Sequence, residues 1–485
     1  MNKNKIIIVI AVLFFLFIGY VSQSTGQISV FNAESAIVSF ADSNLEKEIR
    51  KTLNITSSEP LTQALLLSID RLSINGYDDD LVKNISGIEN LKNLDYLKIH
   101  YAQTIENIES ISALTKLEEI HLSPSRINKL KNIDRYISIL NGLPNLKILN
   151  LNGNQIQDLT PISKFTKLKE LNLNSNYIIN IEPLAKLTAL EKLTLRENKI
   201  EDITSISKLV NLQSLNIGEN YVKDIQSLSK LLELRFLNIS INEIEDISHL
   251  AVLTGLISLQ ADNNHIVDIS ALKNNKSLKS LNLKNNSIDS IESLKSLFNL
   301  RELHLDDNNI TDISPLDYLT RIEHLSLGSN KISKILGLSS FKDLNFLNLS
   351  YNKIENLEPI SSNTNLRNMR LNGNQIKNLS PLKNLTNIRS LDLSYNKIKD
   401  LTAIGQIHGI VNLDITNNMV DNITPLSSLK KLSNLRANSN LIKSLKPLRN
   451  LPELTNTDIA DNPLNDRSLI NRSYEVKFIE RNKID

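Results

Sequence analysis

The side chains best able to bind something recur at a fixed spacing. Lys98, His121, Asn150, Asn172, Thr194, Asn216, Asn238, Gln260, Asn282, His304, Ser326, Asn348, Arg370, Asp392, Asp414, Arg436 and Asp458 form one column, and from Asn150 onward its members are 22 residues apart. The first half of the column is polar and nearly uncharged. The second half is a ladder of charge: Arg370, Asp392, Asp414, Arg436 and Asp458. Such a ladder can neutralise itself through ion pairs, or it can present charge to a partner or a cation. Two adjacent carboxylates, Asp392 and Asp414, are too few for Ca²⁺, which takes six to eight oxygens.

Aromatic residues flank this column in a chain whose aromatic content is only 5%, with no Trp. Tyr96, Tyr101, His100 and His121 form one group near the N-terminus; Phe346, Tyr351 and Tyr395 form another beside the charge ladder. Phe236 shares a column with Phe346 but lies five repeats away, and Tyr177 and Tyr221 are scattered. Aromatic anchors carry much of the energy of protein interfaces. The candidate partner-binding residues are therefore Tyr96, Tyr101, His121, Phe236, His304, Phe346, Tyr351, Arg370, Asp392, Tyr395, Asp414 and Arg436.

Catalytic chemistry has little to stand on. There is no Cys, which removes thiolate metal sites, disulfides and a Cys nucleophile. No HExxH, P-loop, dinucleotide loop or nucleophile elbow occurs. With 13 Gly in 485 residues a phosphate-cradling loop is not expected. His304 and His324 fall in adjacent repeats but in different columns, and a metal would need a third ligand, Asp306 being near in sequence. The expectation is no enzyme, no cofactor and no metal. Lys+Arg 55 against Asp+Glu 53 leaves a net charge of +2, no global field for nucleic acid or an anionic membrane.

What must hold these columns is a repeat. Asn154 is followed at every twenty-second residue by another Asn: Asn176, Asn198, Asn220, Asn242, Asn264, Asn286, Asn308, Asn330, Asn352, Asn374, Asn396, Asn418, Asn440 and Asn462. Around them runs one pattern, for example Leu168-x-x-Leu171-x-Leu173-x-x-Asn176-x-Ile178-x-x-Ile181-x-x-Leu184-x-x-Leu187. This is the leucine-rich repeat. Upstream it continues with Ser125 and Ala102 in the Asn position, and one repeat carries seven extra residues within Asn128–Leu143. About 17 repeats result, with an incomplete one near Leu72–Ile88.

Each repeat contributes a short strand whose alternate Leu residues point inward. One coil cannot bury that face alone, so neighbours stack on a shared core. The Asn column is expected to satisfy buried backbone groups where the chain leaves the strand. Four residues later comes a second polar column, including Asp158, Asp202, Asp246 and Asp400, read as helix N-caps. Seven of the 12 prolines follow it in one column, suited to a first helical turn. The fold class expected is an α/β solenoid: a leucine-rich repeat horseshoe with a parallel β-sheet on the concave face, short 3₁₀ or helical turns on the convex face, and a small helical N-terminal cap.

The ends differ from the array. In residues 1–27, Lys3 and Lys5 precede the apolar run Ile6–Ile18, read as a signal peptide or signal anchor. Residues 28–90 read as a helical cap with the incomplete first repeat; Ser43-x-x-Glu46 matches a capping box, with Leu45, Ile49 and Leu53 on one face. Residues 91–462 are the array and residues 463–485 a C-terminal cap.

The repeat LxxLxLxxNxIxDIxPL resembles that of the internalins and related bacterial surface proteins. Phe40-Ala41-Asp42-Ser43-Asn44-Leu45-Glu46-Lys47-Glu48-Ile49-Arg50 is similar to their helical cap, and Ile85-Ser86-Gly87-Ile88-Glu89-Asn90-Leu91 to the start of their first repeat. The resemblance implies adhesion: a protein whose concave face binds a host or bacterial surface protein; the N-terminal segment implies export, and a monomer is expected. Membrane contact would come only through an uncleaved N-terminal segment. No LPxTG motif follows Asn462, so covalent wall anchoring is not expected. The alternatives are a structural envelope element, or an intracellular scaffold like the eukaryotic phosphatase-regulating repeat proteins of the same period.

Overall fold

A computed structural model describes residues 36–75, 80–100, 105–123 and 133–465. The export segment read in residues 1–27, Tyr101, and residues 466–485 of the C-terminal cap lie outside the described residues. The chain forms two compact units, Met1–Leu146 and Lys147–Asp485. Among the described residues no helix is long and apolar enough to cross a membrane.

The first unit opens with helix α1 (Ser43–Leu53), which buries Leu45 and Ile49 and leaves Leu53 half-buried. Its N-cap is Asp42, not Ser43. The Asp42 carboxylate accepts the Asn44 and Leu45 backbone N–H groups at 2.8 and 3.3 Å. Glu46 does not close a capping box; it pairs with Arg50 one turn on, at 2.8 Å. The longer reach of this cap explains the change. Oδ2 of Asp42 also accepts the Lys83 and Asn84 N–H groups, at 2.7 and 3.0 Å. One carboxylate thus ties the helix to the first repeat, which Ser43 could not do. Gly87, with φ +104°, lets the chain pass under the Phe40 ring; a Cβ there would lie 2.7 Å from a ring carbon.

A short helix α2 (Gln63–Leu66) leads to strand β1 (Arg71–Ile74), which pairs in parallel with β2 (Tyr96–His100), and β2 with β3 (Glu119–Ser123). Leu72, Leu97 and Ile120 share one register and are buried. The seven-residue expansion falls where helix α3 (Ile133–Leu140) forms, packed on the 3₁₀ segment Ile108–Ala113 with Ile137 and Leu140 buried.

The second unit runs from β4 (Ile148–Asn150) to β18 (Asn456–Asp458), one three-residue strand per repeat, each parallel to the next. The strands that matter below are β8 (Phe236–Asn238), β11 (Glu302–His304), β12 (His324–Ser326), β13 (Phe346–Asn348), β14 (Asn368–Arg370), β15 (Ser390–Asp392), β16 (Asn412–Asp414) and β17 (Asn434–Arg436). The central residue of each strand faces the core, Leu in all but β14 (Met369) and β18 (Thr457), and apart from buried Ser326 the residues on either side are at least partly exposed.

Each strand from β4 to β17 is followed by a 3₁₀ segment of three to five residues. The expected proline column occupies the first turn of these segments: Pro161, Pro183, Pro315, Pro359, Pro381, Pro425 and Pro447. The second polar column corrects the sequence reading. Asp158, Asp202, Asp246 and Asp400 lie before the N-cap position, which makes no side-chain cap bond in the 3₁₀ segments that follow Asp158, Asp202 and Asp246. Each accepts the backbone N–H two residues on, at 2.7–2.8 Å, forming an Asx turn. The N-cap position itself is held by Leu159, Ile203 and Ile247, whose side chains carry no acceptor.

The Asn column lines the other side of the core. Asn198 Nδ2 donates to the carbonyls of Leu173 (3.0 Å), Leu195 (2.9 Å) and Arg196 (3.3 Å), while its Oδ1 accepts the Ile178 N–H at 3.0 Å. The set recurs with the same spacing through Asn462. From Ser175 to Asp461 the residue just before each of these Asn has positive φ, a constraint with no clear sequence signature because Glu, Ile and Tyr occupy it as well as Asn, Asp, Ser and Gly.

Candidate strand-face binding site

The strand face of the second unit carries its own neighbours in register. Arg370 stands opposite Asp392, Asp392 opposite Asp414, Asp414 opposite Arg436, and Arg436 opposite Asp458. Adjacency does not make a fully paired row. Arg436 approaches Asp414 at 3.8 Å, whereas Asp392 makes no ion pair among the described residues. Instead Asp392 Oδ1 accepts the Ser394 N–H and hydroxyl, at 3.0 and 2.7 Å. Burial raises the pKa of Asp414; bonds from Thr416 offset this, the Asp392 charge adds to it and Arg436 opposes it.

Arg370 turns the other way. Its guanidinium lies 5.8 Å from the centre of the Phe346 ring, and that ring stacks on His324 at 5.9 Å and 16°. A line His324–Phe346–Arg370 therefore crosses β12, β13 and β14. His324 had no role in the sequence reading beyond a weak metal candidate, because it occupies a different column from His304. Phe346 is half-buried by these neighbours.

Tyr351 and Tyr395 are 57% and 52% exposed. Both have positive φ, 52° and 55°, and Gly373 holds the same position in the repeat between them. The Tyr351 ring lies across Gly373, since a Cβ there would be 2.5 Å from Cδ1 of the ring.

The remaining candidates stand apart from this group. Phe236 on β8 is 50% exposed and flanked in register by Ser214 and Ser258, so no aromatic neighbour extends it. His304 on β11 lies between Asn282 and Ser326. Asp306 does not join it as a ligand pair. It is 8% exposed, and its Oδ1 accepts from Ser326 Oγ (2.6 Å), Gly328 N (2.9 Å) and Asn348 Nδ2 (2.7 Å), stitching three repeats together. Among the described residues no group of three His, Asp or Glu is placed to hold a metal.

In the first unit, Arg71 lies 3.8 Å over the Tyr96 ring and 4.0 Å from Glu119. Tyr96 also meets His121 at 5.3 Å, and His121 contacts Glu119 at 2.6 Å. Tyr96 and His121 are thus engaged within the protein, beside a cleft of about 470 Å³ whose lining includes Arg71, Ser73 and Tyr96. A cavity of about 650 Å³ lies between Val267 and Ser296 on the turn side of the second unit, away from the strand face.

Comparison with known proteins agrees with this architecture. The family described as Leucine Rich repeats (2 copies) matches residues 166–208, 298–340 and 364–406, and a single Leucine Rich repeat matches residues 142–159. No curated protein sequence matches the chain. Among solved structures, an internalin of Listeria monocytogenes is 29% identical, covers 78% of this chain and 96% of its own, and has a TM-score of 0.55. A leucine-rich repeat protein of Leptospira interrogans is 23% identical over 84% of this chain and 94% of its own, with a TM-score of 0.61. A plant peptide hormone receptor, RGFR1 in complex with RGF2, is 20% identical over 83% of this chain and 72% of its own, with a TM-score of 0.64. The last two speak to the fold alone. With its stacked parallel strands, 3₁₀ turns, buried Asn ladder and matching repeat family, the chain is a leucine-rich repeat protein.

Proposed function

We propose that the chain is an internalin-like surface protein that binds another protein, as an adhesion or recognition module, through the strand face of its second unit. The observation that carries this reading is the continuous group on β12–β17. There exposed Tyr351 and Tyr395, the His324–Phe346–Arg370 stack and the Asp392–Asp414–Arg436 row occupy successive repeats. An interface needs a few large anchors in a polar surround, held on a scaffold that does not reorganise. Here Phe346 sits on a strand, and Tyr351 and Tyr395 stand directly before Asn352 and Asn396 of the ladder. The likeness to a Listeria internalin supports the same reading, and so does the apolar run behind Lys3 and Lys5, which we take as the export signal.

The test is capture of partners from host-cell and bacterial surface extracts with residues 28–485, using the parent protein and a Phe346→Ala, Tyr351→Ala, Tyr395→Ala variant. The triple variant should lose the captured partner while its circular dichroism stays unchanged. Equal capture by both proteins removes this face from consideration. Fusion of alkaline phosphatase after residue 30 checks export separately; an inactive fusion contradicts the surface assignment.

A further inference from the structure

We propose that the tyrosine shelf of Tyr351, Gly373 and Tyr395, with Asp392 beside it, seats an exposed lysine or arginine of the partner protein next to an apolar side chain. This rests on the strand-face reading above and adds the chemistry of the occupant. The shelf exists because Gly373 has no side chain. Successive repeats are about 4.8 Å apart, so Tyr351 and Tyr395 start about 10 Å from one another. The Tyr351 ring leans over Gly373 into that gap. Two half-exposed rings then border one floor of backbone, a surface on which an aliphatic or aromatic side chain can lie flat.

The charge beside the shelf selects the second contact. Asp392 lies three residues before Tyr395 on the same strand-to-turn segment. Its register neighbours on the face are Arg370 and Asp414, and neither neutralises it. Arg370 is drawn over Phe346, Asp414 is itself acidic, and Arg436, one strand further, pairs with Asp414. Lys353 and Lys397 are exposed beyond the turn, past Asn352 and Asn396, and neither pairs with Asp392. A carboxylate in register with a second carboxylate, three residues before an exposed tyrosine, is complementary to a cation on both counts. The protein makes this combination from its own residues in the first unit, where the Arg71 guanidinium lies on Tyr96 and reaches Glu119. Among the described residues no cation lies over Tyr395 and none pairs with Asp392, so the partner is taken to supply it.

The experiment selects a displayed library of random twelve-residue peptides on the full chain, then measures synthetic copies of the winners. Peptides eluted from the parent protein should be enriched in Lys or Arg adjacent to an aromatic or aliphatic residue. Their affinity should fall about tenfold on Asp392→Asn and weaken as salt rises from 0.05 to 0.3 M, roughly the range over which screening becomes effective. Asp392→Lys should abolish binding, and a peptide with its basic residue changed to Glu should recover it. Gly373→Ser should weaken binding by displacing the Tyr351 ring. It should leave the fold intact, because Ser329 and Ser439 hold the same positive-φ position in other repeats. Winners that lose affinity on Phe346→Ala but show no basic enrichment and no response to Asp392→Asn overturn this inference and leave the strand-face reading standing. Winners indifferent to every strand-face variant overturn both.

Discussion

Oδ1 of Asn242 accepts the backbone N–H of Val222, 20 residues earlier, at 3.0 Å. Nδ2 of the same side chain donates to the carbonyls of Ile217, Ile239 and Ser240. One amide therefore closes its own coil and the preceding one. The array is a series of such closures, each coupling nearest neighbours.

Asn242→Ala should be costly. It orphans the Val222 N–H, and a buried orphan costs about 1–3 kcal/mol; the Ile217 and Ile239 carbonyls lose one of two donors and keep the Asn220 and Asn264 amides. A loss of about 2–3 kcal/mol is expected in a denaturant melt. Asn286 makes the same bonds from a more exposed position, so water can replace part of what Ala removes. Asn286→Ala should cost about 1–2 kcal/mol. Equal losses at the two sites contradict burial as the source of the effect.

Asn275 should behave in the opposite sense. It occupies a core position held by Leu, Ile or Phe in most repeats, with 0% exposure. Nδ2 donates to the Leu250 and Leu253 carbonyls, but Oδ1 has no partner. Leu250 O also accepts the Leu253 N–H, so removing the amide does not strand that carbonyl. Asn275→Leu should therefore raise stability by about 1 kcal/mol, read as a higher melting temperature. A lower one points to a buried water completing the amide.

Acid should loosen the first unit through Asp42. Burial on its own would raise the pKa of Asp42. Backbone N–H bonds from Lys83, Asn84, Asn44 and Leu45 outweigh it and hold the pKa below the ordinary carboxylate range. The folded pKa is thus below the unfolded one, about 3.9. The stabilisation is fully present above pH 4 or so and drains away as pH falls through the folded value. Hydrogen exchange in α1 and at Lys83–Asn84 should accelerate below about pH 4, relative to a fixed-pH baseline, and less so in Asp42→Asn. Acid protection that is the same in both proteins contradicts this role.

The array was legible from Asn154 to Asn462 because a solenoid repeats one solution to one problem, and the Leu, Asn and Pro columns each answer a separate part of it. Caps were harder. Asp42 and Ser43 are both good N-caps, and only the distant backbone of Lys83 and Asn84 decides between them. The shelf at Tyr351 was half legible: the aromatics stood out by type, but Gly373 gains its meaning only once the neighbouring ring is seen to lie over it. The charge ladder was legible as an order of residues and not as a set of pairs. Register fixes which Cα atoms are neighbours, while Phe346 decides where the Arg370 guanidinium goes.

The most direct check on the central claim is a hydrogen-exchange or cross-linking footprint of the captured partner on the full chain. Protection and cross-links should fall on the outward residues of β12–β17 and on Tyr351 and Tyr395, leaving the 3₁₀ segments between those strands unchanged. A footprint on the turn side, for instance around Lys273 and Lys295, contradicts recognition through the strand face.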